Sequence, residues 1–484
     1  MTKTPLHIGL ILVAIGVALF VIRMTGPDRL LYDDQLKPAA YATDAIANGD
    51  WIVQTDTDGN VASKPPLTTW IIGALSLPGG QVTRLTLALP SALAMIGLAV
   101  LVGELGRRHF GPMAGLLGGA AMLLSSAGFK QVALVRTDAV FGFVVTIMAL
   151  LAWRAWTRRR SWLWFWIIGG IGTLTKGPLC LLLAAGGMLA LPWCRRMQPL
   201  FSERRPAWKP ALQHMGGALL FLLIAGGWAL LAWQAEGQAF VDKVIGDELV
   251  GHAVGTDMKT SLLSGLYKSP LYFLTRYLPL SVFTYIALVR VVRTPATDPM
   301  ARRFERFCFC WFIVGLVIFS ISPHQRADLL TPIWAPAALL GGREMARLFE
   351  ARTPRFCATL GAIVLAGALL AAWIYYHPIT ASHNAAQQGA GLRALAKRIT
   401  ERDEVELLQH TTENSALQFY LHTMKDRLSP EDAASHLASG GLIAVGARDA
   451  DVIAAIEAAG LEVVEVDAWI GEDGAAARIL RASP

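Results

Sequence analysis

The chain has 484 residues, of which 54% are hydrophobic and only 16% are charged, and its mean hydropathy is +0.45. One soluble globular core does not bury this much apolar side chain, so the composition excludes an ordinary soluble enzyme and predicts a polytopic membrane protein. A net charge of +7 in a soluble protein would suggest nucleic-acid binding. In a membrane protein the basic residues orient the helices, and no nucleic-acid partner is expected.

Eleven apolar segments are roughly long enough to cross a bilayer as helices of about 20 residues. They centre on residues 7–23, 85–104, 112–129, 138–156, 162–175, 178–194, 213–233, 271–291, 307–322, 328–343 and 357–376. The fifth and sixth share one run, which fits two short helices or a bent pair. The first could be the core of a signal peptide, but "VIRMTGPDRL" after it offers no small-residue cleavage site, so an uncleaved helix is expected.

Arginine-rich loops follow every second apolar segment. Their basic residues are Arg107, Arg108, Arg154, Arg158, Arg159, Arg160, Arg195, Arg196, Arg204, Arg205, Lys209, Arg290, Arg293, Arg302, Arg303, Arg306, Arg343, Arg347, Arg352 and Arg355. By the positive-inside rule these loops are cytoplasmic, which places the N-terminus inside and the C-terminus outside. The predicted external parts are then a long first loop at about 24–84, a second at about 234–270, and a polar tail at about 379–484.

The tail differs in pattern from the rest of the chain. "GLRALAKRI" (391–399) and "DADVIAAIEAAG" (449–460) predict helices, the second ending at Gly460, whereas "GLIAVGA" (441–447) and "LEVVEVDAWI" (461–470) predict strands. The sequence therefore predicts a transmembrane domain at 1–378 and a small external α/β domain at 379–484.

The five cysteines lie within or beside apolar segments. They are Cys180, Cys194, Cys308, Cys310 and Cys357. A disulfide framework is not expected, and the C-x-C spacing of the third and fourth is not a zinc spacing.

Ionisable residues near the segment ends collect on the predicted external side. They are Asp33, Asp34, Lys64, Lys130, Arg136, Asp138, Lys176, Arg276, His324, Arg326 and Asp328. Burying such groups is costly, so they indicate a site. Carboxylates serve as general bases, and Lys and Arg hold phosphate, so the combination predicts group transfer from a lipid-linked phosphate donor. Taken singly, each also has a structural interpretation, such as compensation of a helix dipole.

Several stretches resemble one family of enzymes. "DDQLKPAAYATDAIANGDWIVQTDTDGNVASKPPLTTW", "VRTDAVF" (135–141), "LTKGPL" (174–179) and "SPHQRADLLTPIWAPAALL" (322–340) follow in order. Together they resemble the bacterial aminoarabinose transferase and protein O-mannosyltransferase-like family of membrane glycosyltransferases with the GT-C fold. The resemblance covers about residues 7–345. It implies an all-α polytopic fold with about 11 transmembrane helices, here carrying the external α/β domain.

This resemblance implies roles for particular residues. A polyprenyl-phosphate sugar is the expected donor, and a lipid, glycan or protein is the expected acceptor, in the bacterial inner membrane. Asp34 matches the first-loop aspartate that acts as base or positions the acceptor, with Asp33 as its neighbour, and Asp138 matches the second acidic position. The basic positions suited to donor or acceptor phosphate are Lys64, Lys176, Arg326 and Arg136. Arg136 also fits a structural role as the partner of an acid.

The chain also departs from the family pattern. Ser63 and Leu249 stand where the aminoarabinose transferase has its Glu and His metal ligands, and His252, three residues later, fits a polar loop residue. No metal or other cofactor is therefore expected. Gln35 replaces the usual Glu, and Asp328 stands where an aromatic residue is usual. These departures leave the sugar and the acceptor open.

A transporter or lipid flippase is the alternative reading of a polytopic chain. Transporters combine inverted repeats with polar residues near the bilayer midplane. Here the ionisable residues lie on one predicted face, and eleven segments do not divide into halves. A glycosyltransferase is therefore the favoured function.

Overall fold

The structure is a computed structural model. It describes residues 4–31, 35–56, 59–195, 197, 208–244, 246, 262–322, 325–411, 415–446, 449–471 and 476–483. The chain forms two compact units. The helical unit comprises Met1–Arg23, Ser63–Thr68 and Ala88–Ala372, and the mixed unit comprises Met24–Ala62, Thr69–Leu87 and Trp373–Pro484. The sequence predicted a division at 378/379 from the change of pattern after the last apolar segment, whereas each of these units combines separate stretches of the chain.

Most of the described residues up to 374 are helical. The α-helices are α1 Thr4–Thr25, α2 Leu36–Ala47, α3 Leu67–Ser76, α4 Arg84–Phe110, α5 Pro112–Leu124, α6 Ser126–Gln131, α7 Asp138–Arg158, α8 Leu163–Lys176, α9 Leu179–Ala185, α10 Ala190–Trp193, α11 Trp208–Phe221, α12 Gly227–Glu236, α13 Gln238–Phe240, α14 Leu262–Arg276, α15 Leu280–Arg293, α16 Pro299–Ile321, α17 Trp334–Arg347 and α18 Pro354–Ile374. Short 3₁₀ or π segments are Leu77–Gly79, Gly186–Leu189, Leu222–Gly226, Ala327–Ile333 and Tyr375–Ile379.

Six helical stretches in the described part of the chain are long and apolar enough to cross a membrane. They are His7–Thr25, Arg84–Phe110, Asp138–Arg158, Trp208–Glu236, Pro299–Ile321 and Pro354–Ile379. Shorter apolar helices occupy Leu67–Gly79, Pro112–Leu124 and Leu179–Trp193. The chain is therefore a multi-pass membrane protein, as predicted.

The predicted span at 271–291 is divided in the structure. Leu266–Arg276 and Leu280–Arg293 meet at an angle of 120°. Pro279 caps the second helix and has no backbone N–H with which to continue the first, so the apolar pattern runs on while the helix stops.

Glycines let α5 and α17 approach closely in the helical unit. A Cβ on Gly342 would lie 2.5 Å from the Ala114 carbonyl oxygen, and one on Gly118 would lie 2.4 Å from that of Ala338. Any side chain at these positions would push the helices apart. This contact fixes α17 and, with it, the 3₁₀ segment Ala327–Ile333 that leads into it.

The C-terminal part of the mixed unit contains a four-stranded sheet. Its elements are α19 Asn384–Glu401, β1 Leu408–His410, α20 Ser415–Tyr420, α21 Pro430–Ala438, β2 Leu442–Gly446, α22 Ala450–Ala458, β3 Val463–Ile470 and β4 Ala476–Ala482. The strand order is β1-β2-β4-β3, with β1 parallel to β2 and the other pairs antiparallel. The two predicted strands and two predicted helices of the tail are present. Gly460 has φ +70° just beyond α22, as a helix-ending glycine requires.

Candidate active site

The turn between α6 and α7 presents two charged residues of the helical unit. Ser91 Oγ donates to the Leu134 carbonyl oxygen at 2.5 Å and fixes the turn. Asp138 is the first residue of α7, where the positive end of the helix dipole favours a carboxylate. Its side chain is only 2% exposed, so its charge requires partners within the protein.

Lys176 and Arg136 are the partners of Asp138. Lys176 is the last residue of α8, and Gly177 with φ +86° turns the chain away directly after it. Its Nζ donates to Asp138 Oδ1. Arg136 Nε lies 3.3 Å from Asp138 Oδ2. One buried carboxylate thus holds an ammonium and a guanidinium side by side.

Arg136 also connects the turn to the segment before α17. Its Nη1 lies 3.3 Å from Asp328 Oδ2, and Gln131 Nε2 donates to Asp328 Oδ1 at 3.4 Å. The connection depends on close packing one helical turn farther on, because a Cβ on Gly142 would lie 2.5 Å from Thr331 Cγ2.

Arg326 and Tyr277 complete the arrangement. The Arg326 charge attracts the Asp138 carboxylate, and the Tyr277 hydroxyl, within electrostatic range of Asp328 and Asp138, donates to the Ala327 carbonyl oxygen at 3.2 Å. We call Gln131, Arg136, Asp138, Lys176, Arg326 and Asp328 the Asp138 cluster.

The Asp138 cluster has three cations and two carboxylates. Arg136 and Lys176 are recessed, with side chains 14% and 16% exposed, whereas the Asp328 side chain is 29% exposed. A net positive charge that is partly screened from water attracts an anion more strongly than the same charge at the surface. Lys and Arg in this setting are suited to hold phosphate oxygens.

Two buried side-chain oxygens of the cluster do not accept a hydrogen bond from a described residue. Among the described residues, Gln131 Oε1 and Asp138 Oδ2 have no hydrogen-bond partner, although the latter has its ion pair with Arg136. Buried polar atoms are almost always paired in folded proteins. Each of these two oxygens is able to accept a hydrogen bond from water or from a bound hydroxyl group.

The structure brings together four predicted site residues: Arg136, Asp138, Lys176 and Arg326. Lys64 is half-buried, three residues before α3, in the same helical unit, and its role stays a prediction. Asp33 and Asp34 lie outside the described residues, and so does His324.

Two further members were absent from the predicted site. Gln131 gave no signal beyond being a polar residue at the end of an apolar segment. Asp328 was listed with the ionisable residues of the external side and as a departure from the family, but it was assigned no role in the site.

Within the described ranges no group of three or more His, Cys, Asp or Glu side chains could hold a metal ion. Leu249 and His252 lie outside these ranges. The expectation of no cofactor therefore stays a prediction.

Sequence comparison gives two kinds of relatives. The family model described as dolichyl-phosphate-mannose-protein mannosyltransferase matches residues 63–228, a range that includes Lys64, Arg136, Asp138 and Lys176. Undecaprenyl phosphate-alpha-4-amino-4-deoxy-L-arabinose arabinosyl transferase 2 of Proteus mirabilis is 25% identical over 362 residues, which are 72% of this chain. The corresponding transferase of Pectobacterium atrosepticum is 23% identical over 347 residues, or 68% of this chain. The chain covers 62% and 57% of the lengths of these relatives.

Solved structures show the same fold. Crystal structures of ArnT from Cupriavidus metallidurans, bound to undecaprenyl phosphate and in the apo state, match with TM-scores of 0.72 and 0.69. Each match covers 97% of both chains, at 16% and 15% identity. The predicted resemblance to GT-C membrane glycosyltransferases of the aminoarabinose transferase type is therefore confirmed.

Proposed function

We propose that this GT-C fold protein is a glycosyltransferase that moves a sugar from a polyprenyl-phosphate donor to a lipid, glycan or protein acceptor. The observation that carries the proposal is the Asp138 cluster, in which Lys176 and Arg136 are recessed around one buried carboxylate. The names of the relatives support it, because both transferases carry an undecaprenyl phosphate-linked sugar in their names.

The proposed cellular setting is the extracytoplasmic face of the bacterial inner membrane. The alternating arginine-rich loops support eleven spans, a cytoplasmic N-terminus and an external α/β domain at 379–484. An acceptor and a lipid carrier would then both be available at the outer leaflet.

The proposed reaction is a direct displacement with inversion. The acceptor oxygen forms a bond to the anomeric carbon while the bond from that carbon to the phosphate oxygen breaks, and the electron pair leaves on the polyprenyl phosphate. When the acceptor is a hydroxyl, its proton passes to the Asp34 carboxylate, which the resemblance assigns as base, with Asp33 beside it. Where the acceptor is already an oxyanion, no proton has to be removed.

The cations are proposed to stabilise the leaving group. Lys176, Arg326 and Arg136, with Lys64 assigned by the resemblance, bind the phosphate, whose negative charge grows as the sugar departs. Asp138 was predicted among the catalytic residues. Because it is buried between Lys176 and Arg136, we propose that it acts by holding these cations in place.

The test is to incubate the purified full chain with a panel of polyprenyl-phosphate sugars and to follow donor consumption and free polyprenyl phosphate by mass spectrometry. One donor should be consumed, and Asp34→Asn should abolish transfer while the protein inserts and purifies normally. Asp33→Asn is the matched control and should reduce the rate much less. Retained transfer by Asp34→Asn would refute the base assignment, and consumption of none of the donors would contradict the proposed reaction.

A further inference from the structure

The turn between α14 and α15 is joined to two sides of the Asp138 cluster. The Ser126 hydroxyl, at the start of α6, donates to the carbonyl oxygen of Arg276, the last residue of α14, at 2.8 Å. The same α6 ends at Gln131, a member of the cluster. Tyr277, the first residue of the turn, donates its hydroxyl proton to the Ala327 carbonyl oxygen at 3.2 Å. The turn is therefore fixed to α6 on one side and to the segment before α17 on the other.

Aromatic neighbours fix the direction of the Tyr277 side chain. The residue is fully buried, and its ring stacks on that of Phe273 with the ring centres 5.0 Å apart. The Trp334 ring meets it edge-on at 4.8 Å. A buried tyrosine hydroxyl usually has a hydrogen-bond partner, and here the partner is the Ala327 carbonyl oxygen. The packed ring thus holds the hydroxyl in place, and the hydroxyl holds the carbonyl.

Ala327 stands between the two charged residues that this segment contributes to the cluster. Arg326 precedes it, and the Arg326 charge attracts the Asp138 carboxylate. Asp328 follows it and pairs with Arg136 at 3.3 Å. Because the two charged side chains leave the backbone on either side of the Ala327 carbonyl, a shift of this carbonyl moves both of them.

The ends of the same segment have contacts of their own. Gln325 Nε2 donates to the Ser320 carbonyl oxygen at 2.7 Å, and Thr331 Oγ1 donates to the Asp328 carbonyl oxygen at 2.7 Å. Tyr277 holds the middle of the segment, between these two contacts. Removing its hydroxyl should therefore loosen the charged residues without unfolding the segment.

We propose that Tyr277 is a positioning residue for the proposed reaction and that, through the Ala327 carbonyl, it holds Arg326 at the phosphate of the donor. The inference rests on the proposed function, since it gives the turn between α14 and α15 a part in that reaction. A cation stabilises the growing charge of a leaving group most when its position is fixed beforehand. A misplacement of about 1 Å costs on the order of 100-fold in rate.

The first test is Tyr277→Phe, which removes the hydroxyl and keeps the ring. It should lower kcat about 5- to 30-fold, with the donor KM within about threefold of wild type, because Lys176 and Arg136 still bind the phosphate. Tyr285→Phe is the matched control, because the Tyr285 hydroxyl donates to the Pro270 carbonyl oxygen at 3.0 Å within the same pair of helices. An equal loss of kcat in the control, or a wild-type kcat in Tyr277→Phe, would overturn the proposal.

A double-mutant cycle tests whether Tyr277 acts through Arg326. Arg326→Gln by itself removes the cation that the hydroxyl is proposed to position. When Tyr277→Phe is added to Arg326→Gln, kcat should fall by less than about twofold further, whereas two independent residues would show the full loss again. A full additional loss would refute the proposed route through Arg326.

Hydrogen–deuterium exchange separates this inference from the proposed reaction. The amides of residues 326–329 should exchange faster in Tyr277→Phe than in wild type or Tyr285→Phe. Unchanged exchange refutes the anchor even where the enzyme is active. If wild type consumes no donor, the proposed reaction fails, while exchange still decides whether Tyr277 holds the segment. Should Tyr277→Phe not fold, Ser126→Ala, which releases the turn from α6, takes its place, and unchanged exchange and kcat in that variant overturn the proposal.

Discussion

Two charged clusters in the helical unit contain the same numbers of cations and carboxylates but differ in which of these side chains are exposed to solvent. The second, which we call the Glu344 cluster, consists of Arg290, Glu305, Arg343, Glu344 and Arg347. Like the Asp138 cluster, it has three cations and two carboxylates. The number of charges therefore does not distinguish a site from a structural network.

The difference is in which charges face outward. Glu344 is bound by Arg290 and Arg343 at 2.8 Å and by Arg347 at 3.1 Å, and its side chain is 2% exposed, whereas that of Arg290 is 46% exposed. Glu305 pairs with Arg343 and also accepts from the Ala296 N–H at 2.9 Å. Here both acids are buried and paired: Arg343, 7% exposed, bridges them, while Arg290 and Arg347, 46% and 33% exposed, lie on the solvent side of Glu344. In the Asp138 cluster the cations Arg136 and Lys176 are recessed, and the more exposed carboxylate of Asp328 competes with a bound anion for Arg136.

The largest expected effect is that of Asp138→Asn on activity. Loss of the carboxylate releases Lys176 and Arg136, and the rate of transfer should fall about 100- to 1,000-fold, as when one preorganised electrostatic group is removed from other active sites. The measurement is kcat/KM per folded protein, with the folded fraction determined by size-exclusion chromatography. A rate of transfer within about threefold of wild type would show that the Asp138 cluster is structural, like the Glu344 cluster.

Glu344→Gln should show the reverse pattern. The substitution leaves three arginines without their shared carboxylate, which should destabilise the protein by about 3 kcal/mol and lower its Tm. The remaining folded enzyme should transfer sugar at a rate within about twofold of wild type. Thermal unfolding and activity measured on the same preparation check both parts. A loss of activity without a loss of stability would contradict a purely structural role for the Glu344 cluster.

A buried group in the mixed unit provides a reference outside both clusters. Burial lowers the pKa of His410 to about 3, so the folded state disfavours its protonation, while the unfolded chain takes up a proton near pH 6.5. Stability should therefore fall as pH falls through 6.5, by about 2 kcal/mol between pH 7 and pH 5. His410→Leu should flatten this dependence of Tm on pH. If Tm depends on pH equally in wild type and in His410→Leu, other groups cause the effect. One such group is His422, because burial also lowers its pKa.

The smallest expected effect is that of Asp328→Asn on product release. The substitution keeps an acceptor for Gln131 but removes the charge that competes for Arg136, so the product polyprenyl phosphate should bind about three- to tenfold more tightly, or on the order of 1 kcal/mol. The inhibition constant of polyprenyl phosphate measures this, with Asp451→Asn, an exposed aspartate on α22, as control. Unchanged or weaker inhibition would show that Asp328 does not oppose the phosphate.

The sequence by itself determined the multi-pass helical fold and part of the site. Apolar runs are a local property, so each predicted helix and each predicted strand of the tail could be read from its own residues. The four residues Arg136, Asp138, Lys176 and Arg326, which the structure brings together in the candidate site, were predicted because an ionisable group beside an apolar segment is visible in the sequence.

Only the tertiary structure decided which charges meet. Arg136 reaches Asp328 across 192 residues, and Asp28 reaches Arg393 across 365 and Tyr420 across 392. No local pattern encodes these pairs, because they depend on close backbone approaches such as Gly142 to Thr331 and on the packing of Leu31 and Leu36 against the C-terminal core. The sequence alone left the tail without a role, and it did not show which charged side chains pair with one another.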